Sequence, residues 1–355
     1  MKKLYILLLL FFVVAKSFAQ TSSCAQTIRL AQSIYDQGRL HELENLINKQ
    51  IEKGDCSKAE KVSLYKLLTL AYIYLEEPEL SDDTMLKLLK TDNYFEINPA
   101  VDPAEFVALY NTFRTKEIYR VGATLGANAS RPNVASTYTA VELTDDSKYK
   151  YGIAILFGAT ADLPLTNKLT LHGDLLYFQK KFELNLKVDR STVISMQSYT
   201  LTNQFQGFET QNWLSLPLSL EYSLAKNRFN PYVAGGASFD YRINAQLRGE
   251  RIKTNVSSVQ ETNFDLNPQR EKINLSALVA TGIKMKVSGG YFIAEVRYLH
   301  GLTNVNSPLT AFANQQAAWE QGYADPVFKI SSLSVSGAYV VNIFNPKKKK
   351  IRSSK

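Results

Sequence analysis

The sequence predicts an N-terminal α-helical hairpin domain followed by an eight-stranded antiparallel transmembrane β-barrel. Three observations carry that reading. Apolar residues recur at helical spacing up to about residue 114. From about residue 116 the apolar period changes to two. The segments joining the alternating runs are short and long in strict turn, the pattern of an outer-membrane barrel with short periplasmic turns and long outer loops.

Composition permits this. The chain has 355 residues, 45% hydrophobic and 21% charged, which is globular usage and argues against disorder. No segment reaches 18 consecutive apolar residues, so no transmembrane helix is expected. Mean hydropathy is −0.17, because strands that alternate polar and apolar residues average toward neutrality. Two cysteines exclude a disulfide-rich scaffold and a four-cysteine zinc site.

The first residues read as an export signal. Lys2 and Lys3 precede the apolar run Leu4–Ala15, and Ser17-Phe18-Ala19 forms a small-x-small cleavage site. Residues 1–19 are therefore expected to be removed, with Gln20 leading the mature chain. A lipoprotein reading would modify Cys24, but Thr21-Ser22-Ser23 is a poor lipobox. The formal charge of +8 then loses its meaning as a binding face. The signal carries three lysines and no acid, and the tail Lys347-Lys348-Lys349-Lys350-Ile351-Arg352 with Lys355 carries six positive charges. What remains has a slight negative balance, so a nucleic-acid partner is not expected.

The helical part resolves into five helices. Ile28, Ala31, Ile34 and Tyr35 mark the first, which ends at Gly38; Leu40, Leu43, Leu46, Ile47 and Ile51 mark the second, stopped by Gly54. Ser57-Lys58-Ala59-Glu60 is a capping box opening the third, with Leu64, Leu68, Ala71 and Leu75 inward and Pro78 as its breaker. A fourth is expected to start at Ser81 or Asp82 and to carry Met85, Leu86 and Leu89. Asp102-Pro103-Ala104-Glu105 reads as a cap with proline at the first helical position, opening a fifth helix with Phe106, Leu109, Tyr110 and Phe113.

Tyr35–Leu40 aligns with Leu75–Leu80 at an offset of 40 residues. Two hairpins of that size are similar to tetratricopeptide-type repeats, which stack into a concave face able to hold a peptide or partner helix. A small supporting bundle is the plainer alternative. Cys24 and Cys56 flank the first hairpin. In an oxidising periplasm they are expected to form a disulfide, contributing roughly 3–4 kcal/mol in the chain-entropy model.

Eight alternating runs follow. Their apolar faces are Tyr119 to Ala127, Tyr151 to Ala161, Leu169 to Tyr177, Leu214 to Tyr222, Val233 to Tyr241, Leu275 to Ile283, Phe292 to Tyr298 and Leu333 to Ile343. These approach or exceed the roughly 9 residues that a tilted strand needs to cross a bilayer. Short turns are expected at Thr166-Asn167-Lys168, Ala225-Lys226-Asn227 and Ser288-Gly289-Gly290. Long loops are expected over about 129–148, 182–211, 243–270 and 302–327, the second and third carrying Tyr199, Phe205, Phe208 and Phe264. Tyr151, Tyr177, Phe239, Tyr241 and Tyr298 fall near the long-loop ends, and Tyr119, Tyr222 and Phe292 near the short-turn ends. Amphipathic rings at both levels form two interfacial girdles.

Leu216-Pro217-Leu218-Ser219-Leu220-Glu221-Tyr222, Asn230-Pro231-Tyr232-Val233-Ala234-Gly235-Gly236 and Val296-Arg297-Tyr298-Leu299-His300-Gly301-Leu302-Thr303-Asn304 resemble the outer-membrane β-barrel family of Bacteroidota that includes PorT-like proteins. The resemblance covers roughly residues 116–345. It accommodates Pro217 inside a strand, which otherwise counts against pairing. The stretch from Glu60-Lys61 to Tyr74-Leu75, and Asp102-Pro103-Ala104-Glu105-Phe106, are similar to an N-terminal domain that precedes such barrels. The resemblance implies an outer-membrane location and a tie to envelope systems such as type IX secretion, and it brings no catalytic motif.

Candidate chemistry is sparse. The chain has three histidines. His172 and Asp174 share one inward face, as an acid–base pair would, and lumen lining is the plainer reading of the same residues. Arg120, Asp162, His172, Asp174, Glu221, Asp240, Arg242, Lys284, Glu295 and Arg297 are the expected polar network of the barrel lumen, because each inward charge needs a partner. No phosphate loop, zinc spacing or nucleophile elbow occurs. No catalytic, cofactor or metal site is expected, and the chain reads as non-enzymatic. The lysine tail reads as solvated, with phospholipid headgroups or acidic partners as its alternative contacts.

The expected plan is a signal peptide over 1–19, a periplasmic helical domain over 20–114, the barrel over 115–345 and a basic periplasmic tail over 346–355. An even strand count puts both barrel ends on the periplasmic side. The expected partners are outer-membrane lipid and a periplasmic or outer-membrane protein of an envelope machine, in secretion or outer-membrane assembly. The alternative is a surface ligand or glycan held by the long loops. A transport pore is disfavoured, because eight strands leave an interior that side chains fill.

Overall fold

The computed structural model describes residues 23–136, 148–194, 197–225, 227–253, 259–287, 289–319, 323 and 325–349. The expected signal peptide and the end of the basic tail lie outside these residues. The chain forms two compact units, one from the residues up to Glu117 together with those from Phe344 onward, the other from Ile118–Ile343.

The helical unit holds α1 (Ser23–Asp36), α2 (Leu43–Glu52), α3 (Lys58–Tyr74), α4 (Pro78–Thr91) and α5 (Ala104–Asn111). Gly38 and Gly54 terminate the first two helices with φ of 74° and 81°, backbone that a Cβ would strain. Ser57 and Glu60 form the reciprocal capping box at the start of α3. The longest helix, α3, serves two cores. Leu64, Leu68 and Ala71 pack with Cys24, Ala31, Leu43 and Ile47. Leu70 packs with Met85, Leu88, Phe106 and Phe113. Each buried leucine or phenylalanine contributes about 1.5–3 kcal/mol. A disulfide joins Cys24 to Cys56, with the Cα atoms 5.3 Å apart, tying the start of α1 to the residue before the α3 cap.

Two helix starts differ from expectation. Helix α4 begins at Pro78 rather than at Ser81 or Asp82, because proline's fixed φ suits the first helical position, where its missing N–H has no partner to lose. Helix α5 begins at Ala104, with Pro103 at the cap and no side-chain cap bond. Asp102 instead accepts a hydrogen bond from the Asn98 N–H at 2.7 Å and pairs with Lys66 of α3.

The described part of the tail packs with the helices rather than standing in solvent. Phe113 and Lys348 form an antiparallel bridge, the Arg114 N–H donates to the Lys347 carbonyl at 2.8 Å and the Lys349 N–H to the Thr112 carbonyl at 2.8 Å. The Lys349 ammonium caps the Asn111 carbonyl at the end of α5 at 2.8 Å, where a cation is favoured. The Lys348 ammonium pairs with Asp82.

The second unit contains β1 (Tyr119–Ser136), β2 (Lys148–Pro164), β3 (Leu169–Ile194), β4 (Gln197–Ser223), β5 (Phe229–Lys253), β6 (Val259–Asp265), β7 (Ile273–Val287), β8 (Gly290–Gly301), α6 (Gln315–Trp319) and β9 (Val327–Ile343). All pairings are antiparallel. Strands β1, β2, β3, β4, β5, β7, β8 and β9 form a ring, closed by β9 against β1. Strand β6 stands outside that ring and pairs back onto the far end of β5. At the level of the short turns closure leaves no unpaired edge among the described strands, the condition for a sheet in lipid. Pro217 pairs with Ser238 of β5, while its register with β3 is interrupted between Leu218 and Ser215, so the missing N–H is accommodated there.

The ring has two zones of opposite polarity. Next to the short turns its outer face is apolar: Leu125, Ile153, Ile155, Leu175, Leu218, Val279, Val296 and Val335 are exposed. The aromatic side chains of Tyr151, Phe239, Tyr241 and Tyr298 border this belt at one level, and Tyr119, Tyr222 and Phe292 at the other, all exposed. Farther out, the chemistry of the two faces exchanges: along β3 and β4 strand facing stays constant, whereas a bulge in β5 turns Ser238, Asp240 and Arg242 inward on one side of it and Ala245 and Leu247 on the other. Along β3 the inward residues change from His172 and Asp174 to Phe178, Phe182, Leu184 and Leu186, all buried. The outward residues change from Leu171, Leu175 and Tyr177 to Gln179, Lys181, Glu183 and Asn185.

Three expected loops are corrected: the one expected over 129–148 is strand as far as Ser136, where β1 stays paired with β9, and the exchange of polarity overturns two more. Segment 182–211 is not a loop: β3 runs to Ile194 and β4 starts at Gln197. Within 243–270, β5 continues to Lys253 and β6 returns along it. A 26-residue strand such as β3 is about 85 Å long, whereas a tilted crossing needs about 9–11 residues. The extensions close over a second core of Phe182, Leu184, Phe205, Trp213, Leu247, Phe264, Leu266, Val305, Tyr323 and Phe328. We call this body the dome. Phe205 and Phe264 are buried in it, whereas Phe208 is exposed; the side chain of Tyr199 lies outside the described residues.

Candidate functional site

Period-two alternation points Arg120 of β1, Asp162 of β2, His172 and Asp174 of β3, Glu221 of β4, Lys284 of β7, and Glu295 and Arg297 of β8 toward one interior. The structure joins these eight into one ion network. The Lys284 ammonium donates to Asp162 Oδ2 at 2.7 Å and to Glu221 Oε2 at 2.5 Å. His172 Nδ1 lies 2.6 Å from Asp162 Oδ1, and Nε2 lies 3.0 Å from Asp174 Oδ1. Arg297 donates to Asp174 at 2.7 Å and to Glu295 at 2.8 Å. Arg120 reaches Asp162 at 3.5 Å. The Tyr232 hydroxyl donates to Glu295 at 2.7 Å, and its ring packs with Ile293 and Val340 below the network.

Opposite charges alternate across the group: Asp162, Asp174, Glu221 and Glu295 face Arg120, Lys284 and Arg297, and both ring nitrogens of His172 face carboxylates. All but Arg120 are at most 6% exposed. Partnerless, such charges cost several kcal/mol each, so the network is the means by which a polar lumen closes.

Asp240 and Arg242 do not join it. Asp240 accepts from Lys180 at 2.8 Å and from the Ser238 hydroxyl at 2.6 Å. Lys180 in turn lies 4.9 Å over the Trp213 ring. Arg242 donates to the backbone carbonyls of Arg270 at 2.7 Å, Asn267 at 3.0 Å and Glu271 at 3.1 Å, fixing the approach to β7.

A third ionic group sits inside the dome. Arg270 makes a two-toothed contact with Glu209, 2.7 Å on each arm, and also pairs with Asp325, at 3.0 Å through Nη2. The Tyr323 hydroxyl donates to Asp325 at 2.9 Å. Burial would lower the Arg270 pKa, but the carboxylates of Asp325 and Glu209 outweigh it and hold the guanidinium well above its ordinary value. Burial and the Asp325 charge push the Tyr323 phenol well up. Burial, Asp325 and Glu209 raise Tyr149 likewise.

Sequence reasoning missed Lys180, Tyr232, Glu209, Arg270 and Asp325. Lys180 was findable, since it shares the inward parity of His172 and Asp174 on β3. Arg270 and Asp325 lie in connections, where no periodicity assigns a direction.

The interior offers limited chemistry. Ligand atoms of Asp162, His172 and Glu221 lie within 4.8 Å of one another, a spacing a metal ion would accept. The Lys284 ammonium already donates to two of the three, so that set does not fit a further cation. His172 and Asp174 do meet, but the imidazole is held on its other side by Asp162 and is 5% exposed.

No curated protein matches the chain. Among solved structures, it is similar to OprG from Pseudomonas aeruginosa, at 10% identity over 64% of this chain and 98% of that one, with a TM-score of 0.34. It is similar to Neisserial surface protein A, at 11% identity over 63% and 97%, with a TM-score of 0.29. It is also similar to Ail, the attachment invasion locus protein of Yersinia pestis, at 12% identity over 63% and 99%, with a TM-score of 0.25. Likenesses this distant carry nothing about role. The profile of one family, described as the outer membrane protein beta-barrel domain, matches residues 113–307; that is more than half of the chain, which therefore belongs to this family of outer-membrane barrels.

Proposed function

We propose that the protein is a closed, non-enzymatic barrel whose helical domain docks a component of a cell-envelope machine, in secretion or outer-membrane assembly. The observation that supports this best is the filled interior. Three ionic groups and the dome core occupy the space a pore or an active site would need. Activity then belongs to what the barrel carries. In this reading the short turns, the helical domain and the tail face the periplasm, and the dome faces the exterior. The cross-braced helical unit, with its disulfide and packed tail, suits a docking module. The motifs that resemble PorT-like barrels of Bacteroidota fit the same reading. The test is crosslinking in cells followed by mass spectrometry. The full chain is expected to capture an envelope protein that a chain lacking 20–114 loses; an unchanged partner set sinks the proposal.

A second reading has its own observation. The dome is a folded body with a core, and Phe208, Leu309 and Phe312 are exposed on it. It would serve to hold a surface ligand or glycan. Protease shaving of intact cells that removes the dome and leaves function unchanged would count against it.

A further inference from the structure

The geometry points to a binding surface for a phosphorylated glycolipid headgroup on one side of the barrel, at the level where the apolar belt gives way to the dome. The inference rests on the orientation proposed above.

Four adjacent strands carry it, in the order β9, β1, β2, β3. Ala129 and Leu333 form an outward rung of the belt. The next outward rung is Arg131 with Ser331, and the next is Asn133 with Lys329. On the neighbouring pair, Lys181 stands opposite Gly152, Lys150 opposite Glu183 and Lys148 opposite Asn185. Arg131, Lys148 and Lys150 are exposed, and Lys181 and Lys329 are half-buried. These five cations occupy two rungs on β9 and β1 and three on β2 and β3, about 7 and 14 Å of strand, which a tilt of about 40° reduces to about 5–10 Å of depth. A bilayer headgroup layer is about 5–8 Å deep.

Among the described residues, Glu183 is the one carboxylate facing outward on these rungs, and it pairs with Lys150 at 3.0 Å. Two of the other cations are held by rings. The Arg131 guanidinium lies 5.7 Å over Tyr151, and the Lys181 ammonium 5.0 Å over Phe208. A ring fixes a cation without consuming its N–H donors, which leaves them for phosphate oxygens. The far side of the ring differs. There Arg248 pairs with Glu261 at 2.6 Å, and exposed Glu250, Glu271 and Lys272 leave no positive excess.

Two cation groups, Arg131 with Lys329 and Lys148 with Lys150 and Lys181, match a headgroup bearing two phosphates. The apolar belt below them receives its acyl chains. The occupant is therefore an outer-leaflet glycolipid rather than a soluble anion.

The test titrates the full-length protein in detergent with bis-phosphorylated lipid A, monophosphorylated lipid A, phosphatidylglycerol and inorganic phosphate, read by native mass spectrometry. Bis-phosphorylated lipid A is expected to bind tightest, and the double variant Arg131→Ser with Lys329→Ser to weaken it about thirty-fold. Arg248→Ser with Lys272→Ser on the far side is expected to leave binding unchanged. Should the first variant fail to fold, Lys148→Ser with Lys150→Ser makes the same measurement. Wild-type affinity in a folded variant, or inorganic phosphate competing as well as lipid A, overturns the proposal. Orientation is read separately. Gln206→Cys on intact cells should react with a membrane-impermeant maleimide, and its failure to do so sinks the orientation without touching the titration.

Discussion

Arg270 shows what a single residue contributes here. It is 4% exposed and faces the buried carboxylates of Glu209 and Asp325. Arg270→Met keeps volume but strands both acids, which costs about 3–5 kcal/mol. The dome is expected to become a substrate for thermolysin, while the belt-spanning fragment keeps its heat-modifiable mobility on gels. Asp102 supplies a pH dependence in the helical unit. Burial pushes its carboxyl up, but the Lys66 ammonium and the Asn98 N–H outweigh burial and hold it below the usual range. Its folded value is thus lower than its unfolded value of about 3.9. The stability it confers is present above that unfolded value and is lost as pH falls through the folded one. Wild type is expected to lose helix stability relative to Asp102→Asn as pH falls below about 4, read by circular dichroism of the full chain in detergent.

At the scale of elements, the exchange of polarity along β3 and β4 sets where lipid ends. Leu218 is exposed at the centre of the apolar stretch of β4, and Gln206 faces outward from the same strand above it. Leu218→Arg is expected to cost about 2–4 kcal/mol, and Gln206→Arg less than about 0.5 kcal/mol, measured by urea-dependent folding into vesicles. The same exchange explains the misread loops. An alternating run from Leu169 to Tyr177 was legible because apolar residues held one parity. Past Phe178 they take the other parity, and Gln179, Lys181, Glu183 and Asn185 make the segment read as a polar loop. The helices were legible from caps and glycines. The start of α4 was not, because proline ends one helix and opens the next with the same chemistry.

For the whole molecule, the filled lumen predicts a barrel that does not conduct. Planar-bilayer recording of the reconstituted full chain is expected to show no stable conductance, and discrete ohmic openings would contradict the closed interior. The barrel and the helical unit differ in how they are stabilised. The helical unit relies on apolar packing and a disulfide, whereas the interior of the ring at belt level relies on satisfied ion pairs.

The sequence by itself determined the helical part, the disulfide partners, the eight crossings, both girdles and most of the inward charges. Each follows from local spacing, which the pitch of a helix or the pleat of a strand converts directly into facing. The tertiary structure decided what those inward residues meet. It put Lys284 between Asp162 and Glu221, gave Asp240 to Lys180, and moved Arg242 to a loop. It covered the ring with an apolar dome and drew Lys348 and Lys349 onto the helices. Those outcomes depend on which strands become neighbours across the ring and which carbonyls a helix leaves open, and separation along the chain encodes neither.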